Sequence, residues 1–162
     1  MSKILLRCYL LFCVSLFVNA LGIAFITKAA LGTSPITSVT YVLSMFTPFT
    51  IGQWTIMLNL LFVVVEPFLM TRKDLKSDLR MYLLQIPISF CFGMFIDLCM
   101  HCILYWLNPV KYLHMIVALL IGCVILAVGI ALEVKANAAM MSGEYFVKVI
   151  TKRFHGEFGY IK

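Results

Sequence analysis

The chain has 162 residues, 63% apolar and 12% charged, with a mean hydropathy of +1.03. A soluble domain carries roughly 25% charge, and too few charged side chains are present here to cover a water-facing surface, so a soluble globular protein is excluded. The net charge of +6 comes from basic residues set between apolar runs, with no aromatic-interleaved basic patch; this reads as a set of topology signals and excludes a nucleic-acid partner.

The first apolar run, Ile4 to about Thr27, follows Lys3 and is interrupted only by Arg7, Ser15 and Asn19. Crossing about 30 Å of hydrocarbon takes about 20 apolar residues, and the run exceeds the length of a signal-peptide core, so it is read as a retained span. After Lys28 comes Ala-Ala-Leu-Gly-Thr-Ser-Pro. Gly32 is expected to end the helix in a left-handed conformation, Thr33 or Ser34 to cap the next one, and Pro35 to sit in its first turn, where a missing amide hydrogen costs nothing. That next helix, Ile36 to about Thr47, rises only about 18 Å at 1.5 Å per residue, too little to cross, and is predicted to be re-entrant. Ile36, Val39, Val42, Leu43 and Phe46 recur at helical spacing, leaving Thr37, Thr40, Tyr41 and Ser44 as a hydroxyl-bearing face.

The second full span is predicted at about Ile51 to Met70, carrying Gln53, Asn59 and Glu66, followed by an aqueous connection from Thr71 to Arg80. The third, Met81 to about Leu107, contains Pro87 and Asp97; Asn108-Pro109 forms a turn, and the fourth span runs from Tyr112 to about Val134. A second short amphipathic segment, Ser142 to Phe154, follows, with Glu144, Lys148 and Thr151 on its polar face. It fits either half of a gate or a basic helix lying on anionic lipid.

The stretch Gly22 to Gly52 recurs, without a gap, 107 positions on at Gly129 to Gly159. Between Ala20 and Trp54, 8 of 35 positions are identical in the two copies, among them Gly-Ile-Ala, Lys28-Ala29 with Lys135-Ala136, Val42 with Val149, and the closing glycine. The fold expected is an all-α polytopic membrane bundle of four full spans and two short re-entrant or amphipathic helices. Residues 1–107 form the first repeat unit and residues 108–162 an incomplete second one. With the N-terminus cytoplasmic, Lys3, Arg7, Arg72, Lys73, Lys76, Arg80, Lys135, Lys148, Lys152, Arg153 and Lys162 fall inside, and only Lys28 and Lys111 outside. The two copies then run in opposite directions, the inverted repeat from which many transporters build a site. Since the first unit continues through two further spans, the chain is expected to be a truncated form or a short form needing a partner.

Taken together, GIAFITKAALGTSP, FTIGQW, FGMFIDL, GIALEVKANAAMMSGE and FGYIK resemble the YczE/YyaS/YitT family of bacterial integral membrane proteins over essentially the whole chain. The resemblance implies a small multi-spanning protein of the bacterial inner membrane with internal repeats; it implies no activity, substrate or catalytic residue. Leu31-Gly32-Thr33-Ser34-Pro35 and Ile51-Gly52 match the family's first repeat, whereas Met140-Met141-Ser142-Gly143-Glu144 departs from its second.

Six residues are candidates for substrate binding: Thr33, Ser34, Gln53, Asn59, Asp97 and His101. A carboxylate near the bilayer centre costs at least about 2.5 kcal/mol and usually faces a cavity or a partner. Asp97 belongs to a ladder spaced by four, Gln85, Ser89, Gly93, Asp97 and His101. The ladder fits either a proton-passing stripe or a packing seam in which Asp97 is protonated or bonded to Asn19 or Asn59. The Thr33-Ser34-Pro35 break presents unpaired amide hydrogens that favour an anion, unless it is a capped turn without a ligand. Glu66, Glu133 and His114 are read as interfacial. Cys8, Cys13, Cys91, Cys99, Cys102 and Cys123 follow no disulfide or zinc spacing and are expected to be free. No Met or His cluster suggests a metal, no cofactor motif is present, and no enzyme template fits. The expected function is a small transporter or permease-like protein of unknown substrate. The alternative is an accessory or scaffold membrane protein that packs against a partner as a homo- or hetero-oligomer in the lipid bilayer.

Overall fold

The computed structural model describes residues 2–70, 79–107, 111–136 and 141–154. Most of the predicted aqueous connection (71–78), the Asn108-Pro109 turn and the tail containing Gly159 lie outside these residues, as do the side chains of Glu144 and Lys148; Leu79 and Arg80, read as part of the connection, belong instead to the helix that follows it. Among the described residues every regular element is a helix. These are α1 (Ser2–Lys28), α2 (Pro35–Phe46), α3 (Ile51–Leu69), α4 (Leu79–Leu98), a π turn continuing α4 (Cys99–Ile103), α5 (Tyr112–Ala136) and α6 (Ser142–Phe154).

Four stretches are long and apolar enough to cross a bilayer: Arg7–Ala29, Ile51–Leu69, Tyr82–Ile103 and Tyr112–Ala136, with mean hydropathies of 2.3, 1.5, 1.8 and 3.0. Side chains sort in the sense lipid demands. Leu61, Val64, Met94, Leu120 and Val124 point outward, while Asn19, Asn59, Glu66, Gln85, Ser89 and Glu133 are buried. A water-soluble bundle would reverse that arrangement. The chain is a multi-pass integral membrane protein.

Helix ends follow local chemistry. Ser34 accepts the Thr37 N–H (3.3 Å) to cap α2, with Pro35 in its first turn. Thr50 and Gln53 form a reciprocal capping box on α3, Gln53 N–H to Thr50 Oγ1 at 3.2 Å and Thr50 N–H to Gln53 Oε1 at 3.1 Å. The left-handed residue closing α1 is Ala30 (φ 55°), not only the expected Gly32 (φ 137°). Ala30 donates its N–H to the Thr27 carbonyl, so the reversal begins two residues earlier than the glycine suggests. α2 is a separate 12-residue helix, as expected of a segment that enters the membrane without crossing.

Small residues set the packing, because bare backbone lets helices approach in lipid. A Cβ on Gly22 would lie 2.8 Å from the Leu126 backbone, one on Gly122 would lie 2.8 Å from Ile26, and one on Gly129 would meet the Asn19 side chain. As the α1 positions rise from Asn19 through Gly22 to Ile26, their α5 partners fall from Gly129 through Leu126 to Gly122; the two helices are antiparallel. Adding 107 to Gly22 gives Gly129, and subtracting 107 from Leu126 gives Asn19. Gly22 with Leu126 and Asn19 with Gly129 are therefore one contact made twice, as a two-fold relation requires. The short helices obey the same shift, since α2 starts at Pro35 and α6 at Ser142, 107 positions apart. Ile36 Cδ1 lies 3.3 Å from the Cβ position of Gly143, its own repeat counterpart, so the starts of α2 and α6 meet on the pseudo-two-fold axis.

The second seam joins α3 to α4, where Gly52 and Gly93 bring backbones together. Phe17 of α1 meets Phe95 of α4 edge-on at 5.6 Å. α2 packs at the beginning of α3, with Trp54 Nε1 donating to Thr47 Oγ1 at 2.7 Å. α6 lies on the later part of α3, where Phe146 stacks on Phe62 at 4.8 Å and Tyr145 is buried. The apolar face of α6 thus covers protein, which speaks against a helix lying flat on lipid.

Candidate functional site

The starts of α2 and α6 face a partly open cavity of about 450 Å³ lined by α1, α3, α4 and α5. Four hydroxyl-bearing residues enter from the first break, Thr33, Ser34, Thr37 and Thr40; Ser142 and Gly143 enter from the second. The spans add Asn19, Thr55, Asn59, Ser89 and Glu133, and the remaining wall is apolar, including Ile23, Ile88, Phe92 and Ile130. A mostly apolar hollow with a few convergent polar groups is the usual form of a small-molecule site.

Local sequence explains the polar lining. On α2 the apolar residues Val39, Val42 and Met45 face outward, which turns Thr37 and Thr40 inward. On α3 the buried positions Gly52, Thr55, Asn59, Val63 and Glu66 follow helical spacing, so one stripe both packs against α4 and reaches the cavity. Asn19 Nδ2 donates to Glu133 Oε2 at 2.9 Å across the α1–α5 seam, and its Oδ1 rests on bare Gly129. Ser34 and Thr37 share a hydroxyl hydrogen bond of 2.8 Å. Ser142 is 2% exposed and its Oγ has no hydrogen-bond partner.

Of the six sequence candidates, Thr33, Ser34 and Asn59 line this cavity, and Gln53, Asp97 and His101 do not. Gln53 is exposed and occupied by the capping box. Asp97 holds the start of α3: Thr50 Oγ1 donates to its Oδ2 at 2.6 Å and the Gly52 N–H to its Oδ1 at 2.9 Å. Asn19 and Asn59, the partners expected for it, are engaged elsewhere or line the cavity. His101 is exposed on the π turn. Widening the helix there to more than four residues per turn removes it from the stripe of Asp97, which is why the ladder spaced by four fails at its last rung. The lower rungs form the α3–α4 seam. Ser89 donates to the Gln85 carbonyl at 2.7 Å, and the Gln85 amide lies beside the buried Glu66 carboxyl.

Glu133 and Glu66, read as interfacial from their places near span ends, are buried within the bundle, 6% and 0% exposed. Glu133 follows Gly129 by one turn on the face that meets α1, and Glu66 continues the stripe from Asn59; both signals are present in the sequence as spacing to a packing residue. All six cysteines are free, though only Cys99 is buried, four of the others being exposed on the outer surface. Among the described residues no group of His, Cys, Asp and Glu has the arrangement of a metal site.

No curated protein and no solved structure matches the chain. A family model does, over residues 6–162, and the chain belongs to that family, described as a family of unknown function (DUF6198).

Proposed function

We propose that the protein is a small transporter or permease-like protein whose substrate occupies the cavity between the starts of α2 and α6. The observation that carries this reading is the meeting of two interrupted helices, related by the 107-residue shift, at one hollow inside the bundle. In lipid, interrupted backbone is tolerated only where protein or a cavity shelters it. Inverted repeats place such interruptions at a site that opens alternately to each side. Thr33, Ser34 and Asn59, together with Thr37, Thr55 and Glu133, are the residues assigned to substrate. Asp97 fixes α3 in this reading, and no chemical turnover is assigned to any residue. The resemblance to YczE/YyaS/YitT proteins and the inner-membrane location, with a cytoplasmic N-terminus, belong to the same proposal.

Thr55→Cys in a background with the six native cysteines replaced tests it without knowledge of the substrate. An alternating site exposes this cysteine to an impermeant thiol reagent from either face of the membrane in different molecules. Labelling from neither face, or from one face alone, ends the transporter reading. For orientation, Lys76→Cys is expected to be shielded from the outer solution and Val110→Cys to be labelled from it. A second reading rests on α5, which packs along α1 and leaves Leu120, Val124 and Val128 outward, a surface suited to another membrane helix in an accessory complex. That reading predicts a co-purifying partner and no labelling of residue 55.

A further inference from the structure

Three residues are identical at positions 107 apart and yet differ in burial. From the way they differ we infer a docking surface on α2 and α5 for a two-span hairpin of a partner membrane protein, packed there as α3 and α4 pack on α6 and α1. The inference takes up the α5 surface of the second reading above, and it rests on the 107-residue relation, not on what the cavity carries.

Ala20 and Ala24 of α1 are fully buried, whereas Ala127 and Ala131 of α5, their counterparts, are exposed. On the short helices the sense is reversed: Val149 of α6 is 7% exposed and Val42 of α2 is 48% exposed. Side-chain chemistry is the same within each pair, so the difference lies in what covers them. Neighbouring positions follow suit. Leu16 is buried and Cys123 exposed; Phe17 meets Phe95 edge-on, while Val124 points outward; Phe146 stacks on Phe62, while Val39 points outward.

One pair of helices accounts for both contrasts. α4 and its π turn cover α1, joining Phe92, Ile96 and Cys99 to Leu16, Ala20 and Ala24 in one buried cluster. α3 covers α6, through Phe62 against Phe146 and Met70 against the Tyr145 hydroxyl. A two-fold relation that exchanges α1 with α5 and α2 with α6 carries the α3–α4 pair onto the outer faces of α2 and α5. Among the described residues nothing stands there.

The occupant is thereby specified in chemistry. It is a pair of consecutive apolar spans, antiparallel as α3 and α4 are, where Gly52 meets Gly93 and Val63 meets Tyr82. Its first span packs on Val39 and Val42. Its second presents large side chains, as α4 presents Phe92 and Ile96, to the alanines of α5, whose small size lets a neighbouring helix come close in lipid. A second copy of this chain fits less well, because its own α3 and α4 are engaged with α6 and α1. Lipid is the expected cover for Leu120, since its counterpart Cys13 is exposed as well.

Photo-cross-linking in the membranes of the native host tests the inference on the full chain. Benzoylphenylalanine is placed at Val124 or Val39, whose counterparts Phe17 and Phe146 are aromatic and packed, or at Leu120 as the lipid-facing control. Positions 124 and 39 are expected to reach one membrane protein through two consecutive spans, 39 the earlier and 124 the later, and position 120 to give lipid adducts alone. Ala127→Phe, at an exposed site, is expected to leave the chain folded and to cut the cross-link from position 39 at least about tenfold, the scale of an overpacked contact. Leu120→Phe is expected to leave that cross-link unchanged. Lipid adducts alone at 124 and 39 overturn the inference, as do cross-links to a second copy of this chain, to two different proteins, or to a single span. An undiminished cross-link in Ala127→Phe overturns it too. The labelling of residue 55 reads the cavity alone, so it decides the transporter reading separately.

Discussion

The start of α2 and the start of α6 lie 107 positions apart and meet in the fold, but they carry different side chains. In the first copy Ser34 and Thr37 close the helix end on itself through bonds of 3.3 and 2.8 Å. In the second, methionine stands in the serine position, and the next hydroxyl, that of Ser142, is left without a partner. At these starts the first copy uses its serine hydroxyl within its own helix, whereas the second copy's Ser142 hydroxyl finds no partner in the protein.

The comparison depends first on the two-fold relation between α1 and α5. Gly22→Val and Gly129→Val both force side-chain atoms into a facing helix, at Leu126 and Asn19 respectively. Each is expected to destabilise by about 3 kcal/mol or more, at the upper end of overpacking effects. Reversible unfolding in mixed micelles measures both, and a large loss in one with none in the other would break the equivalence. Next comes Asp97→Ala, which removes the acceptor of the Thr50 hydroxyl and the Gly52 N–H. A loss of about 2 kcal/mol is expected from hydrogen bonds to a charged group, with residue 55 still labelled from both faces; a selective loss of labelling would instead make Asp97 part of the moving site.

Ser34→Ala removes a working cap and is expected to cost about 1 kcal/mol. Met141→Ser, the reciprocal change, is expected to stabilise by a similar amount by offering the start of α6 the oxygen that Ser34 offers α2. Equal stability changes of the same sign in the two variants would contradict the contrast drawn here. The smallest effect is expected at Ala30, whose φ of 55° is unfavourable for a residue with a Cβ. Ala30→Gly should raise stability by up to about 1 kcal/mol in the same unfolding assay.

Much of the architecture was legible from spacing alone. The starts of both short helices, at Pro35 and Ser142, lie within one residue of the predicted positions, since amphipathic periodicity bounds both and a serine-proline signal marks the first. The lining of the cavity was legible only in part. Thr33, Ser34 and Asn59, which line it, were singled out because a cap and an isolated polar residue in a span stand out against apolar sequence. Asp97 stands out equally, yet caps α3, because rarity in a span marks a residue as constrained without saying by what. Glu133 was read as interfacial because it lies near a span end, and its spacing from Gly129, which puts it in the α1–α5 seam, went unused.

Composition and hydrophobic run lengths by themselves determined that this chain lives in a bilayer, how many times it can cross, and where its helices break, because these follow from transfer of side chains and backbone into hydrocarbon. Which polar residues meet was decided only by tertiary structure. An antiparallel approach of glycine-lined helices brings Asn19 to Glu133 and Ile36 to Gly143 across more than a hundred residues of chain, and no local propensity encodes that register.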